Sequence, residues 1–226
     1  MITIARGPVP AVLRNAPPDS EDYARPEVVQ ALWDMQCRKC CYCEQAVPDL
    51  GQGRHVEHFR PKSRDEFAPL RNTWANLLLA CPTCNGQKGD QFPVDAAGRA
   101  VLIDPSSKRI DPARHIEFVV DYGDDDPTGL PVPRSPRGRA TIEVIGLYLS
   151  HYVRERRRHF RTIVRPRYEA LLNAKDSGDA EMWAVAKAQF EDLLSGLWPF
   201  AGFVRCFARR KQLDRIGVAV PTGSCN

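Results

Sequence analysis

Three features of the sequence predict an α+β protein. Two closely spaced cysteine pairs bracket a loop-rich middle, short β-like runs punctuate that middle, and apolar residues recur at helical spacing on both sides of it. The expected organisation is an extended arm and helix over residues 1–36, a zinc-stapled module over 37–105, a strand and Pro/Gly-rich linker over 106–139, and a helical region over 140–226.

Residues 1–19 are proline-rich and suit an extended path across another part of the fold. Ser20, followed by Glu21 and Asp22, reads as a helix start with acids at the positive end of the dipole. Val28, Val29, Leu32, Trp33 and Gln36 carry that helix into the first cysteines. In the middle, Asn76-Leu77-Leu78-Leu79-Ala80 and Val101-Leu102-Ile103 are the strand-like runs. Residues 123–139 read as a surface loop, because proline and glycine deny regular pairing. Ile142, Ile145, Leu149, Tyr152 and Val153 then form a helical stripe that continues to Phe160, Ile163 and Val164. A second helix begins near Asp179, with Met182, Trp183, Val185, Ala186, Phe190, Leu193, Leu194 and Leu197 as core positions, and stops at Pro199. A third covers Phe203 to Leu213.

With 226 residues, 43% hydrophobic and 27% charged, the chain can bury one good core, or a small metal module plus a helical domain. No apolar run approaches the ~18–20 residues that cross a bilayer, and the opening lacks the apolar stretch of a secretory leader. A cytoplasmic protein is expected. The net charge of +4 permits nucleic-acid binding without demanding it. Its distribution says more: between His151 and Arg167 lie seven arginines and one glutamate, against an acidic cluster at 124–126. The arginine-rich segment reads as a solvated face, a DNA-backbone track or a docking surface for an acidic partner.

Eight cysteines in a reducing compartment favour metal binding over disulfides. Cys40-Cys41-Tyr42-Cys43 and Cys81-Pro82-Thr83-Cys84 are two Cys-x-x-Cys turns, separated by 37 residues. Each turn brings two thiolates to one ion at ~2.3 Å, and two turns complete a closed tetrahedral site, which makes the zinc structural. Cys37-Arg38-Lys39-Cys40 has the same spacing, so the first pair is ambiguous; Cys40 and Cys43 are favoured as lying nearest the rest of the module.

Between the turns stands His55-Val56-Glu57-His58-Phe59-Arg60-Pro61-Lys62, and directly after the second comes Asn85-Gly86-Gln87-Lys88-Gly89. Zinc folding draws these segments together, collecting an imidazole, a carboxylate, a carboxamide and cations. Phosphodiester hydrolysis asks for that set: a neutral histidine to deprotonate water, a divalent cation on oxygen ligands, and basic groups for flanking phosphates. Arg60, Lys62 and Lys88 are either phosphate contacts or solvated charges. On a strand His55 would share a face with Glu57 and oppose His58, as a second metal ligand or a structural histidine.

The pattern CCYCE…EHFRPKS…NLLLACPTCNGQKGD resembles the HNH, or ββα-metal, endonucleases, and looks most like the nuclease subunits of Septu and retron-associated anti-phage systems. The opening IARGPVPAVL, Leu102-Ile103-Asp104-Pro105, His115-Ile116-Glu117-Phe118 and Ala140-Thr141-Ile142 share the likeness. The resemblance implies a zinc-stapled ββα-metal module flanked by the N-terminal helix and the C-terminal helical region. It implies His58 as general base, Glu57 as acidic metal ligand, Asn76 as the asparagine shaping the catalytic loop, Asn85 as the last metal ligand, and Cys40, Cys43, Cys81 and Cys84 on zinc. It further implies a Mg2+ or Mn2+ cofactor, a DNA substrate and an ABC-type ATPase partner. The competing reading is a zinc-knuckle module that binds nucleic acid or protein without catalysis.

Overall fold

The computed structural model describes residues 1–48, 53–120 and 128–221; the acidic cluster at 124–126 and Cys225 lie outside them. The N-terminal arm is extended, with the Ile4 amide donating to the Pro105 carbonyl at 2.7 Å and the Trp74 indole to Gly7 at 3.0 Å. Helix α1 spans Pro26–Met35, later than the sequence expectation: Asp22–Ala24 makes one 3-10 turn, and Arg25 is extended. The reason is Pro26, which disfavours helical backbone in the residue before it but is well suited to the first helical position. Val28, Leu32 and Trp33 point into the core. Gln36 closes the helix, and its amide donates to the Leu79 carbonyl while accepting from the Leu79 N–H, both at 2.8 Å.

Strand β1 (His55–His58) pairs antiparallel with β2 (Leu77–Ala80), setting His55 opposite Ala80 and His58 opposite Leu77. Helix α2 (Pro82–Lys88) follows at once, giving the ββα order. All four residues of β2 are fully buried, which explains the unbroken apolar run. The Val101-Leu102-Ile103 run is not a strand: the backbone there forms only an isolated Val94–Ala100 bridge, while Leu102 and Ile103 are core residues of an irregular segment. The Ile103 N–H is satisfied by Thr141 Oγ1 at 2.9 Å instead of by a ladder.

The described part of the expected 123–139 loop is also more ordered than its composition implies. Strand β4 (Pro131–Pro133) pairs antiparallel with β3 (Ile116–Phe118), and α3 (Pro136–Ile145) starts from Ser135, whose hydroxyl accepts from the Gly138 N–H at 3.0 Å. Prolines are tolerated on such an edge strand because their missing donors fall on the unpaired side. Gly138 is required by contact, since a Cβ there would lie 1.9 Å from the His115 carbonyl oxygen.

The expected continuous stripe from Ile142 to Val164 is split at Gly146, a left-handed cap. Helix α4 (Ser150–His159) passes through a π-helical turn (Phe160–Val164) into α5 (Arg165–Ser177). Helix α6 (Ala180–Leu194) is capped by Asp179 and ends before Pro199, and α7 (Ala201–Arg210) completes the region. Phe160, Phe190, Phe203 and Phe207 fill its core. Met182 and Val185 do not join it and stay more than half exposed, because the packing covers a narrower face of α6 than its apolar stripe, and Leu197, beyond the end of α6, is exposed as well. One apolar cluster runs from α1 through β2 to α7. No helix among the described residues is long and apolar enough to cross a membrane.

Candidate metal centre and active site

Cys40, Cys43, Cys81 and Cys84 gather with all four sulfurs within 4.8 Å of one another. Cys43 Sγ and Cys81 Sγ are 3.9 Å apart, close to the ~3.8 Å edge of a tetrahedron with ~2.3 Å zinc–sulfur bonds. The donor set therefore fits a structural zinc. Cys81 is both ligand candidate and N-cap of α2, its sulfur accepting from the Cys84 N–H at 3.4 Å. Cys37, the alternative first cysteine, has a left-handed backbone and packs beside Ile2 and Ala201 instead. Cys41 is buried in the core. Burial pushes the Cys40 thiol up, but hydrogen bonds from the surrounding thiols draw it well below its ordinary value, whereas burial holds Cys43 and Cys84 well above theirs. Such a cluster concentrates negative charge on shared sulfur, the charge a zinc ion neutralises.

The helical region closes this centre. The Tyr152 hydroxyl, from α4, lies 3.1 Å from Cys84 Sγ. One turn on, Arg156 is fully buried, donates to the Gly129 and Leu147 carbonyls at 2.9 Å, and sits 4.9 Å from the Phe118 ring centre. Arg156 is thus structural, and the arginine-rich segment is not uniformly a solvated face. Its exposed arginines are Arg154, Arg158, Arg161 and Arg165, with Arg158 paired to Glu155 and Arg165 to Glu169.

Strand alternation separates the candidate catalytic side chains. His58 faces the loop before β2: its Nε2 lies 2.9 Å from the Arg71 carbonyl, so Nε2 carries the proton, and Tyr23 packs edge-on at 4.7 Å. Burial lowers its pKa to about 4, with Lys62, Lys88 and Arg71 adding to the effect. The ring is neutral at pH 7, with Nδ1 as the basic nitrogen. Asn76 locks the following turn, accepting from the Arg60 N–H at 2.8 Å and donating to the Arg60 carbonyl at 3.0 Å. Arg60 is exposed, and Lys62 lies over the Tyr23 ring and bonds its hydroxyl.

Glu57 points the other way and is only 2% exposed. Its Oε1 takes Lys88 Nζ at 2.7 Å and the Tyr42 hydroxyl at 3.1 Å. Burial raises its pKa to about 7 even with Lys88 alongside. One sequence expectation is corrected here. Lys88 is fully buried and also donates to the His58 carbonyl at 2.8 Å, so it does not face a phosphate. Glu57 is engaged by this lysine and by the Tyr42 hydroxyl. Asn85 meets β1 at His55, with Nδ2 and Nδ1 3.4 Å apart, not at the Glu57–His58 pair.

Several contributors carried no sequence signal. Arg6, in the arm, clamps the loop by donating to the Trp74, Ala75 and Leu77 carbonyls at 2.7–2.9 Å. Asn72 accepts from the Tyr23 N–H at 2.9 Å, fixing the ring beside His58. These contacts span roughly fifty to seventy residues in sequence, and no local pattern encodes them.

Two neutral imidazoles, His58 buried and His159 half-buried, define an acid limit. His58 and His159 both have pKa values lowered to about 4, in each case chiefly by burial. A depressed histidine pKa favours the folded state fully above the unfolded value of about 6.5, and the advantage is lost as pH falls from there towards 4. Melting temperature is expected to fall across that window. His159→Gln should remove up to one proton's share of the slope, about 1.4 kcal/mol per pH unit at most, while the acid sensitivity of the cysteine cluster stays common to both proteins. Identical slopes by calorimetry would refute the assignment.

The ββα unit carries a four-cysteine cluster that could hold zinc and a histidine that ends its first strand, and residues 37–91 match the family model described as HNH endonuclease. More particularly, the chain resembles two curated relatives named Septu protein PtuB. That of Bacillus thuringiensis is 40% identical over 67 residues, 30% of this chain and 25% of the relative. That of Bacillus mycoides (strain KBAB4) is 24% identical over 164 residues, 60% of this chain and 52% of the relative. The chain thus covers between a quarter and about half of the length of these relatives.

Proposed function

We propose that the chain is a metal-dependent endonuclease that hydrolyses phosphodiester bonds of DNA in the cytoplasm, as the effector of an anti-phage defence system that works with an ABC-type ATPase. The observation that carries the reading is His58: a neutral imidazole, held by the Arg71 carbonyl through Nε2, with Nδ1 left to accept a proton from water. Asn76 keeps the turn after β1 in shape, and Arg60 and Lys62 supply positive charge for the flanking phosphates. A structural zinc on the four cysteines holds α2 against β1. A divalent ion such as Mg2+ or Mn2+, held partly by Asn85, would supply Lewis-acid stabilisation of charge on the phosphoryl and leaving oxygens. The two Septu relatives support the defence role, and the ATPase follows from that likeness.

His58→Ala is expected to lower cleavage of plasmid DNA by about 10²–10⁴-fold, the usual worth of a general base, with zinc content and folding intact. The assay uses the chain with and without a neighbouring ATPase, in Mg2+ and in Mn2+. Undiminished cleavage by the variant would remove His58 from the mechanism. DNA binding without cleavage under every condition would favour the zinc-knuckle binding module.

A further inference from the structure

The His58 ring is held at two points. Its Nε2 meets the Arg71 carbonyl at 2.9 Å, and its ring meets that of Tyr23, with centres 4.7 Å apart and planes at 80° to each other. One hydrogen bond fixes where Nε2 sits but leaves the imidazole free to swing about that bond. A perpendicular aromatic contact removes the swing, so Tyr23 sets where Nδ1 points. The loop that holds the histidine also holds the tyrosine. Arg71 supplies the carbonyl for His58, and the next residue, Asn72, accepts from the Tyr23 N–H at 2.9 Å. The Asn72 amide nitrogen in turn donates to the Pro17 and Ser20 carbonyls at 2.7 and 3.1 Å.

The hydroxyl at the far end of the Tyr23 ring has a second task. It accepts from the Lys62 ammonium and donates to Glu21 Oε1 at 3.2 Å, and Lys62 Nζ is 3.9 Å from the same oxygen. An ammonium has three donors, so an anchored Lys62 can still reach a phosphate. A lysine anchored in advance also loses less side-chain entropy when the phosphate binds.

We infer that Tyr23, which lies outside the ββα unit, is a positioning residue for two groups of the nuclease site: its ring sets the His58 imidazole and its hydroxyl sets the Lys62 ammonium. The inference rests on the proposed nuclease reading. It makes the segment at 17–25 a wall of the active site as well as the approach to α1.

The two tasks separate by substitution. Tyr23→Phe keeps the ring and loses the hydroxyl, so in the plasmid assay KM should rise about tenfold with kcat within about threefold of wild type. Lys62→Met should raise KM equally, and the double variant should be no worse than either, because the hydroxyl acts through the lysine. Tyr23→Leu loses the ring as well, and kcat should fall by about 10²-fold, the scale of a misplaced catalytic group. Nuclear magnetic resonance of the isotopically labelled, zinc-loaded full chain gives a readout free of cleavage. The His58 ring signals should shift in Tyr23→Leu and hold in Tyr23→Phe, whereas the Lys62 ammonium signal should be lost to solvent exchange in Tyr23→Phe. The proposal is overturned by a folded Tyr23→Leu with wild-type kcat or unmoved His58 signals. Additive KM effects of Tyr23→Phe and Lys62→Met overturn it too, and that arm decides if Tyr23→Leu does not fold. If both spectral changes appear but the wild-type chain cuts no DNA, the nuclease reading fails alone. If the wild type cuts and neither kinetics nor spectra respond to Tyr23, the positioning assignment fails alone.

Discussion

Lys88→Met is expected to destabilise the protein by about 3–5 kcal/mol, the usual penalty for removing one partner of a buried ion pair. Lys88 and Glu57 are both almost completely buried, 2.7 Å apart, and the ammonium also satisfies the His58 carbonyl. Methionine fills the space but leaves the carboxylate facing apolar surroundings, with only the Tyr42 hydroxyl as donor. The double variant Glu57→Gln with Lys88→Met should recover much of the loss, because no uncompensated charge remains. Denaturant unfolding of the four proteins in the cycle gives the coupling directly. A Lys88→Met variant as stable as wild type would show that the carboxylate is neutral or hydrated, not ion-paired.

Cys84→Ala should be more damaging still. Structural zinc in small modules contributes ~10–16 kcal/mol of apparent binding energy, comparable to or larger than the ~5–15 kcal/mol net stability of a typical domain. Cys84 closes the sulfur cluster, receives the Tyr152 hydroxyl at 3.1 Å and lies one turn into α2. Its loss should release zinc, unfold the ββα unit and loosen α4 with it. Cys37→Ala, outside the cluster, should retain one equivalent of zinc. Metal analysis with circular dichroism separates the two. Zinc retained by Cys84→Ala would point to a different ligand set, with Cys37 or Cys41 in it.

The fold class and the cysteine cluster were legible in the sequence because both have short-range signatures. Two cysteines three apart can turn both thiolates towards one ion, and the apolar periodicity of α1, α4 and α6 marks buried faces without knowledge of what covers them. The approach of β1 to α2 was legible once the two cysteine turns were placed around one site. Where local composition was trusted further, it misled. Pro131–Pro133 pairs as a strand because Ile116–Phe118 lies beside it, and Leu102 and Ile103 are buried without any ladder.

The chain's composition near β1 and α2 settles which chemical groups are present there: two imidazoles, a carboxylate, two carboxamides and a lysine. How they are sorted comes from packing in three dimensions. A strand turns successive side chains to opposite sides, so Glu57 and His58, adjacent in the chain, serve different surroundings. The buried side of α2 then gives Glu57 to Lys88, while the loop pinned by Arg6 and Asn72 gives His58 to Arg71 and Tyr23. Partner choice in that small volume depends on burial and on contacts roughly fifty to seventy residues apart, neither of which the linear order of residues contains.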